Sequence, residues 1–140
     1  RRAGQAIDLD VVLDIVLAEP PARWIVEGAG GVLVPINGAH TMAHLMVRLA
    51  LGVVVVARTT LGTINHTLLT IEALRARSLT VAGVLMVGPP NADNRDAIEA
   101  HGRVRVLGEM PAFDPLTPDA LRRWAVAGLD PEGHLLEYFR

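Results

Sequence analysis

The chain has 140 residues, of which 51% are hydrophobic and 20% charged, with a formal net charge of −2. That length suits one domain; the apolar fraction excludes a disordered tail, and the near-neutral balance leaves no basic footprint for nucleic acid. No apolar run approaches the roughly 20 residues that cross a bilayer. The absence of cysteine excludes a disulfide framework and a thiolate metal centre, and fits a reducing cytosol. All 13 basic residues are arginine. Without lysine, this chain acting alone has no ammonium for a phosphate-binding P-loop and no amine for a Schiff base.

In chain order, Ile7 to Leu17 is rich in leucine, isoleucine and valine with Asp8, Asp10 and Asp14 interspersed. This predicts a helix ended by Glu19-Pro20-Pro21, and its acidic residues behind Arg1–Gln5 do not read as a signal peptide. Trp24-Ile25-Val26 predicts a short buried strand running into the turn Gly28-Ala29-Gly30-Gly31, with Val32-Leu33-Val34 available to extend it before Pro35. Thr41 to Ala50 has helical spacing, with Met42, Leu45, Met46 and Leu49 on one face and Thr41 as N-cap. Gly52 then opens Val53–Ala57, an uninterrupted run expected of a strand covered on both faces of a parallel sheet. Gly62 or Thr63 starts the longest helix, to about Arg77, with Ile64, Thr67, Leu68, Ile71 and Leu74 inward. Val81–Val87 is the next strand, followed by the turn Gly88-Pro89-Pro90-Asn91. Asn91 or Asp93 caps a helix ending near His101-Gly102, and Val104–Leu107 is a further strand leading into Gly108-Glu109-Met110-Pro111. Pro118–Ala127 is a final amphipathic helix with Leu121, Trp124 and Ala125 inward.

This alternation predicts a single α/β domain over residues 1–140, a layer sandwich with a mostly parallel sheet. In such sheets the ligand crevice lies beyond the carboxyl ends of the strands. Chemistry is therefore expected in the loops after Val26, Ala57, Val87 and Leu107.

Val26–Gly31 places the carboxylate of Glu27 at a strand's end with glycines behind it. Mg²⁺ takes oxygen ligands and accepts one or two carboxylates plus phosphates, while glycine lets backbone N–H groups close on an anion. Glu27 reads either as a Mg²⁺ ligand or as a turn-capping carboxylate. Arg58–His66 enters the long helix, whose free N–H groups and dipole hold a carboxylate or phosphate. There, Asn65 and His66 hold the anion in register, or Thr63 merely caps and His66 is a surface or interface residue. Gly88–Asn91 and Glu109–Pro111 would frame a flat base, or are ordinary turns. His40 and His44 have a zinc-chelating spacing without an evident third ligand. No serine sits in a nucleophile elbow.

Three segments are far more specific together than apart: Val26–Ile36 (Val-Glu-Gly-Ala-Gly-Gly-Val-Leu-Val-Pro-Ile), Val56–Thr70 (with Leu-Gly-Thr-Ile-Asn-His-Thr-Leu-Leu-Thr) and Leu107–Pro111 (Leu-Gly-Glu-Met-Pro). Through them, the stretch from about Trp24 to Pro111 resembles dethiobiotin synthetase, the biotin-pathway ligase. The resemblance implies a three-layer P-loop NTPase-like fold of SIMIBI type, a mostly parallel sheet flanked by helices. It implies a cytoplasmic homodimer that closes the cyclic urea of dethiobiotin on 7,8-diaminononanoate from CO₂, with ATP and Mg²⁺. Its partners are these small molecules, not nucleic acid or membrane. On that reading Glu27 joins the Mg²⁺ and phosphate shell, and Gly28, Ala29 and Gly30 line nucleotide and substrate. Leu61, Gly62, Thr63, Ile64 and Asn65 match the helix start that binds the substrate carboxylate across the dimer interface. Pro111, Ala112 and Phe113 match the segment around the adenine, and no catalytic residue is assigned within this chain.

The departures are equally specific. The family's P-loop, its carbamate-handling lysine and a Mg²⁺-binding aspartate have no counterpart, so the chain is expected to begin partway through the fold, without its first strand and helix. The sheet is then expected to present an edge and an apolar face. Val87 stands where the family usually has an adenine-reading asparagine, and His44 where it typically has aspartate; Val87 neither donates nor accepts through its side chain. Two expectations stand on these residues: a truncated synthetase inactive by itself, or a degenerate, non-catalytic dimerising or binding paralogue.

Overall fold

The computed structural model describes residues 7–18 and 23–139. Among them, three parallel strands form one sheet in the order β1-β2-β3, flanked by five helices. Helix α1 (Leu9–Ala18) and helix α2 (Met42–Leu49) precede β1 (Val53–Arg58); α3 (Thr63–Arg75), β2 (Val81–Val87), α4 (Ala92–Gly102), β3 (Val106–Met110) and α5 (Pro118–Gly128) follow. A 3₁₀ turn, His134–Phe139, ends the described chain. No helix among the described residues is long and apolar enough to cross a membrane. The expected stop of the first helix at Glu19-Pro20-Pro21 lies outside the described residues.

The sheet forms where β-branched runs meet crossover helices. Val55↔Val84 and Ala57↔Met86 pair across β1 and β2, and Val84↔Val106 continues to β3. These residues point to one face, where Ile71 and Leu74 of α3 and Ile98 of α4 close a fully apolar core. Leu74, Val84, Met86 and Ile98 have no exposed surface at all. A second cluster joins Leu9 and Leu13 of α1 to Leu45 of α2. The caps follow the sequence: Asn91 accepts from the Asn94 N–H at 3.0 Å, and Thr117 from that of Ala120 at 3.2 Å. Thr41 sits at the N-cap of α2 with its own N–H donated to His44 Nδ1 at 2.9 Å.

Several expectations are corrected. Trp24–Val26 is not a buried strand: it is irregular, with Ile25 86% and Val26 39% exposed. No strand among the described residues offers this segment a ladder, and an extended segment without one gains no sheet hydrogen bonds. Among the described residues β1 is covered on one face only, because Val54 and Val56 (39% and 66% exposed) alternate away from the core. It forms an edge of the sheet. β3 starts at Val106 rather than Val104: Arg103 ends α4 in a left-handed conformation (φ 45°), and only the Arg105 carbonyl joins the ladder, accepting from Val84 at 2.9 Å. In α5, Leu121 is 39% exposed. That helix docks by its C-terminal end, where Trp124 Nε1 donates to the Glu109 carbonyl at 3.3 Å and the Gly128 carbonyl crowds Gly108. A Cβ on Gly108 would overlap that carbonyl, so glycine is what admits α5 to this face.

The outer edge of β3 is blunted rather than open. The Val106 N–H is donated to Glu99 Oε1 at 2.9 Å, and the Leu107 carbonyl accepts from the Asp130 N–H at 2.6 Å. Glu132 holds this flap through His134 Nε2 (2.7 Å) and Arg105 Nη1 (3.1 Å). The hydrogen bond from His134, then its charge, then that of Arg105 keep the Glu132 carboxyl below the usual carboxylate range. A depressed folded-state pKa contributes stability that is complete above the unfolded value and lost as pH falls through the folded one. The stability advantage of the wild type over Glu132→Gln is therefore expected to be complete above the ordinary carboxylate range and to shrink as pH falls below it. Urea melts of both proteins across that range provide the measurement. A gap that persists in acid would contradict the linkage.

Candidate functional site

The carboxyl ends of the three strands are tied together. The Thr59 N–H after β1 donates to the Val87 carbonyl at 3.2 Å, and the Gly88 N–H after β2 donates to the Met110 carbonyl at 2.8 Å. Gly88 has φ +135°, and a Cβ there would overlap the Thr59 hydroxyl. Glycine thus lets the first two loops touch, and Thr59 is itself buried (8% exposed). Thr59–Gly62, Gly88–Asn91 and Pro111–Phe113 consequently share one rim, as expected for a parallel sheet.

The first loop ends in the tip of α3. Gly62 is the N-cap, at φ +89° and without a side-chain cap bond. Thr63 is not the cap; it is the first helical residue, buried at 8% exposure, and Thr67 one turn on is 3% exposed. The two threonines anchor the helix while its tip faces outward. The Thr63 and His66 N–H groups are satisfied by Thr60 and Gly62 carbonyls at 3.1 and 3.0 Å. Those of Ile64 and Asn65 have no backbone acceptor among the described residues, the arrangement that suits an anion. Leu61 and Asn65 are exposed, as is Leu69 a further turn along. His66 is exposed, its ring lying over Gly62.

Glu27, Gly28, Ala29 and Gly30 lie elsewhere in the hydrogen-bond network. Gly30 turns the chain at φ +83°, and a Cβ on Gly28 would lie 3.8 Å from the Met42 side chain. The Met42 and Ala43 N–H groups donate to the Val34 and Val32 carbonyls at 2.9 and 2.8 Å. The glycine loop is thereby hooked to the start of α2, and Val32 packs against the main core. Glu27 is exposed, and no hydrogen bond or ion pair engages its carboxylate among the described residues. No group of three His, Cys, Asp or Glu side chains among the described residues would encase a metal ion. One unengaged carboxylate beside flexible glycines fits a Mg²⁺ that takes its other oxygens from phosphate and water. His40 and His44 form an edge-on ring pair with centroids 5.6 Å apart; their Nδ1 atoms face Asn37 Oδ1 and the Thr41 N–H.

Of the residues singled out from sequence, Leu61–Asn65 and Pro111–Phe113 are thus placed on one rim. No hydrogen bond joins Glu27–Gly30 to that rim among the described residues. Sequence reading missed Asn94, Arg95 and the Glu109 side chain. Asn94 Nδ2 donates to the Thr59 carbonyl at 3.2 Å, Arg95 meets Glu109 Oε2 at 3.4 Å, and Glu109 Oε1 accepts from the Asn91 N–H at 3.3 Å. Such partners, 14 to 35 residues apart, leave no periodic signal.

The chain is similar over most of its length to known proteins. It is 46% identical over 129 residues to the ATP-dependent dethiobiotin synthetase of Rhizorhabdus wittichii, covering 91% of this chain and 62% of that protein. It is 47% identical over 131 residues to the enzyme of that name from Paramagnetospirillum magneticum, covering 94% of this chain and 60% of that protein. With the biotin biosynthesis bifunctional protein BioCD of Bordetella avium it shares 50% identity over 111 residues, 79% of this chain and 24% of that protein. The chain therefore spans about three fifths of the two synthetases and a quarter of the bifunctional protein. The AAA_26 family profile, described as an AAA domain, matches residues 1–120, and with that match extending over all three strand-end loops the chain belongs to this family of α/β AAA domains.

Proposed function

We propose that this chain supplies the nucleotide-facing loops and the substrate-carboxylate tip of a dethiobiotin synthetase. The observation that carries the reading is the exposed α3 tip, with Ile64 and Asn65 N–H groups open to an anion at the end of β1. It stands in a chain 47% identical over 131 residues to a protein of that name. In the reaction one amine of 7,8-diaminononanoate adds to CO₂ to form a carbamate and releases a proton. The γ-phosphoryl of ATP passes to a carbamate oxygen, leaving ADP. The second amine then attacks the activated carbonyl carbon, expels phosphate and closes the cyclic urea.

Each segment has a role matched to its chemistry. The helix tip at Leu61–Asn65 binds the carboxylate tail of a substrate held by a neighbouring subunit, so that the reacting amines lie far from the charge that orients them. Glu27 holds Mg²⁺, and Gly28, Ala29 and Gly30 offer N–H groups to phosphate and substrate. Mg²⁺ when bound neutralises phosphate charge during transfer. Pro111, Ala112 and Phe113 frame the base. No lysine is present, so an ammonium contact to the transferring phosphoryl has to come from residues outside this sequence. Arginine does not replace it one for one, because a planar fork and a compact ammonium meet phosphate differently.

The test is dethiobiotin formation, read by mass spectrometry. The 140-residue chain is expected to be dimeric and to turn over no ATP alone, and to form dethiobiotin with Mg²⁺-ATP once the part of the Paramagnetospirillum relative that lies outside the matched span is joined to it. No product from the joined protein would end the proposal. Robust turnover by the chain alone would refute the argument from lysine. The joined protein also tests Val87, half-buried at the end of β2 with its carbonyl fixed by Thr59. Val87→Asn is expected to raise the ATP-over-GTP ratio of kcat/KM about tenfold, the effect of one hydrogen bond that the wrong base leaves unpaired.

A further inference from the structure

The three loops of the rim rise from different strands, and among the described residues backbone hydrogen bonds join them at Thr59–Val87 and Gly88–Met110. The first turn of α4 adds a second set of ties, one to each flank. Toward β1, Asn94 Nδ2 donates to the Thr59 carbonyl at 3.2 Å. Toward β3, the Asn91 N–H reaches Glu109 Oε1 at 3.3 Å and Arg95 Nη1 reaches Glu109 Oε2 at 3.4 Å. Asn91 Oδ1 in turn accepts from the Asn94 N–H at 3.0 Å, locking the two arms into one turn. The Glu109 side chain is 19% exposed and that of Arg95 43%, so the ion pair is half-exposed and counts for its geometry more than for its energy. From α5, Trp124 Nε1 fixes the Glu109 carbonyl at 3.3 Å. Glu109 is thus held at both its backbone and its carboxylate, immediately before the Met110–Phe113 loop.

We propose that Asn94 and Glu109 are positioning residues with separate duties: Asn94 sets the loop that carries the α3 tip, and Glu109 sets the loop that frames the base. This rests on the synthetase reading for the names of the two ligands, though not for the ties themselves. The two arms use different side chains, Asn94 toward β1 and Glu109 toward α4, so each arm is separable by substitution. Asn94→Ala removes the donor to Thr59 and leaves the Glu109 contacts. Glu109→Ala removes both acceptors and leaves Asn94 in place. Glu109→Gln retains an oxygen for the Asn91 N–H.

In the joined protein, Asn94→Ala is expected to raise KM for the diamino acid about five- to tenfold and leave KM for ATP within twofold, the scale of one hydrogen bond. Glu109→Ala is expected to do the reverse, with Glu109→Gln recovering most of the loss and kcat little changed in all three. Equal changes in both KM values, or a fall in kcat alone, would overturn the assignment, since general loosening of the fold has no reason to choose between substrates. Hydrogen exchange on the 140-residue chain gives a reading that needs no catalysis. Asn94→Ala should speed exchange at the Thr59 and Thr63 amides about fivefold, and Glu109→Ala that at Gly88 and Asn91, each leaving the other pair unchanged. If the joined protein makes no dethiobiotin while exchange splits in this way, the function is wrong and the clamp stands. If exchange does not split, the clamp is wrong whatever the activity.

Discussion

Leu74→Ala is expected to cost about 3–4 kcal/mol of folding stability, among the largest effects of any single truncation in this chain. Leu74 has no exposed surface and packs in the cluster of Ile71, Val55, Ala57, Val84, Met86 and Ile98, between α3 and the covered face of the sheet. Removing its branched end forfeits the burial of the lost carbons and leaves a cavity that rigid strands on one side cannot fill. Domains of this size are stable by roughly 5–15 kcal/mol, so the loss is a large fraction of the total. Urea denaturation should show the midpoint falling with the slope unchanged. Leu69→Ala, on the same helix but 54% exposed, should change stability by less than about 0.5 kcal/mol. If the two variants lost equal amounts, the face of α3 that meets the sheet would have been misassigned.

How much of this was legible beforehand depended on how local the cause was. Val81–Val87 was read with the bounds that the structure gives it, because the run is short, apolar and flanked by turn residues. Helical spacing turns Ile71 and Leu74 inward, as found, and of the two cap candidates, Asn91 and Asp93, the structure takes Asn91. Where a partner decides, the sequence misled. Trp24–Val26 looks like a strand, yet pairs with nothing among the described residues, and Val54 and Val56 look like core yet face outward. Periodicity reports that a segment is suited to burial and not whether anything lies above it. The same division runs through the site. Gly62 and Asn65 were visible because a helix start after a strand is a local event. The ties made by the Glu109 carboxylate and by Asn94 are invisible because the partners lie 14 to 35 residues away and the pairing exists only once the sheet has formed.

Glu27→Gln in the joined protein is expected to lower kcat/KM about a hundredfold, close to 3 kcal/mol of transition-state stabilisation. The apparent Mg²⁺ requirement should rise by a comparable factor. The reasoning starts from what the carboxylate is not doing: exposed and without a hydrogen bond or ion pair among the described residues, it holds no part of the fold in place. The alternative of a turn-capping glutamate therefore makes an opposite forecast, a lower melting temperature with an unaltered Mg²⁺ response. On the proposed reading, glutamine preserves size and removes the charge that a hard cation requires, while stability changes by less than about 0.5 kcal/mol. Titrating Mg²⁺ at saturating ATP and melting both proteins in parallel separates the two outcomes. A variant that melts early but responds to Mg²⁺ like the wild type would return Glu27 to the scaffold and leave the glycine loop without its metal.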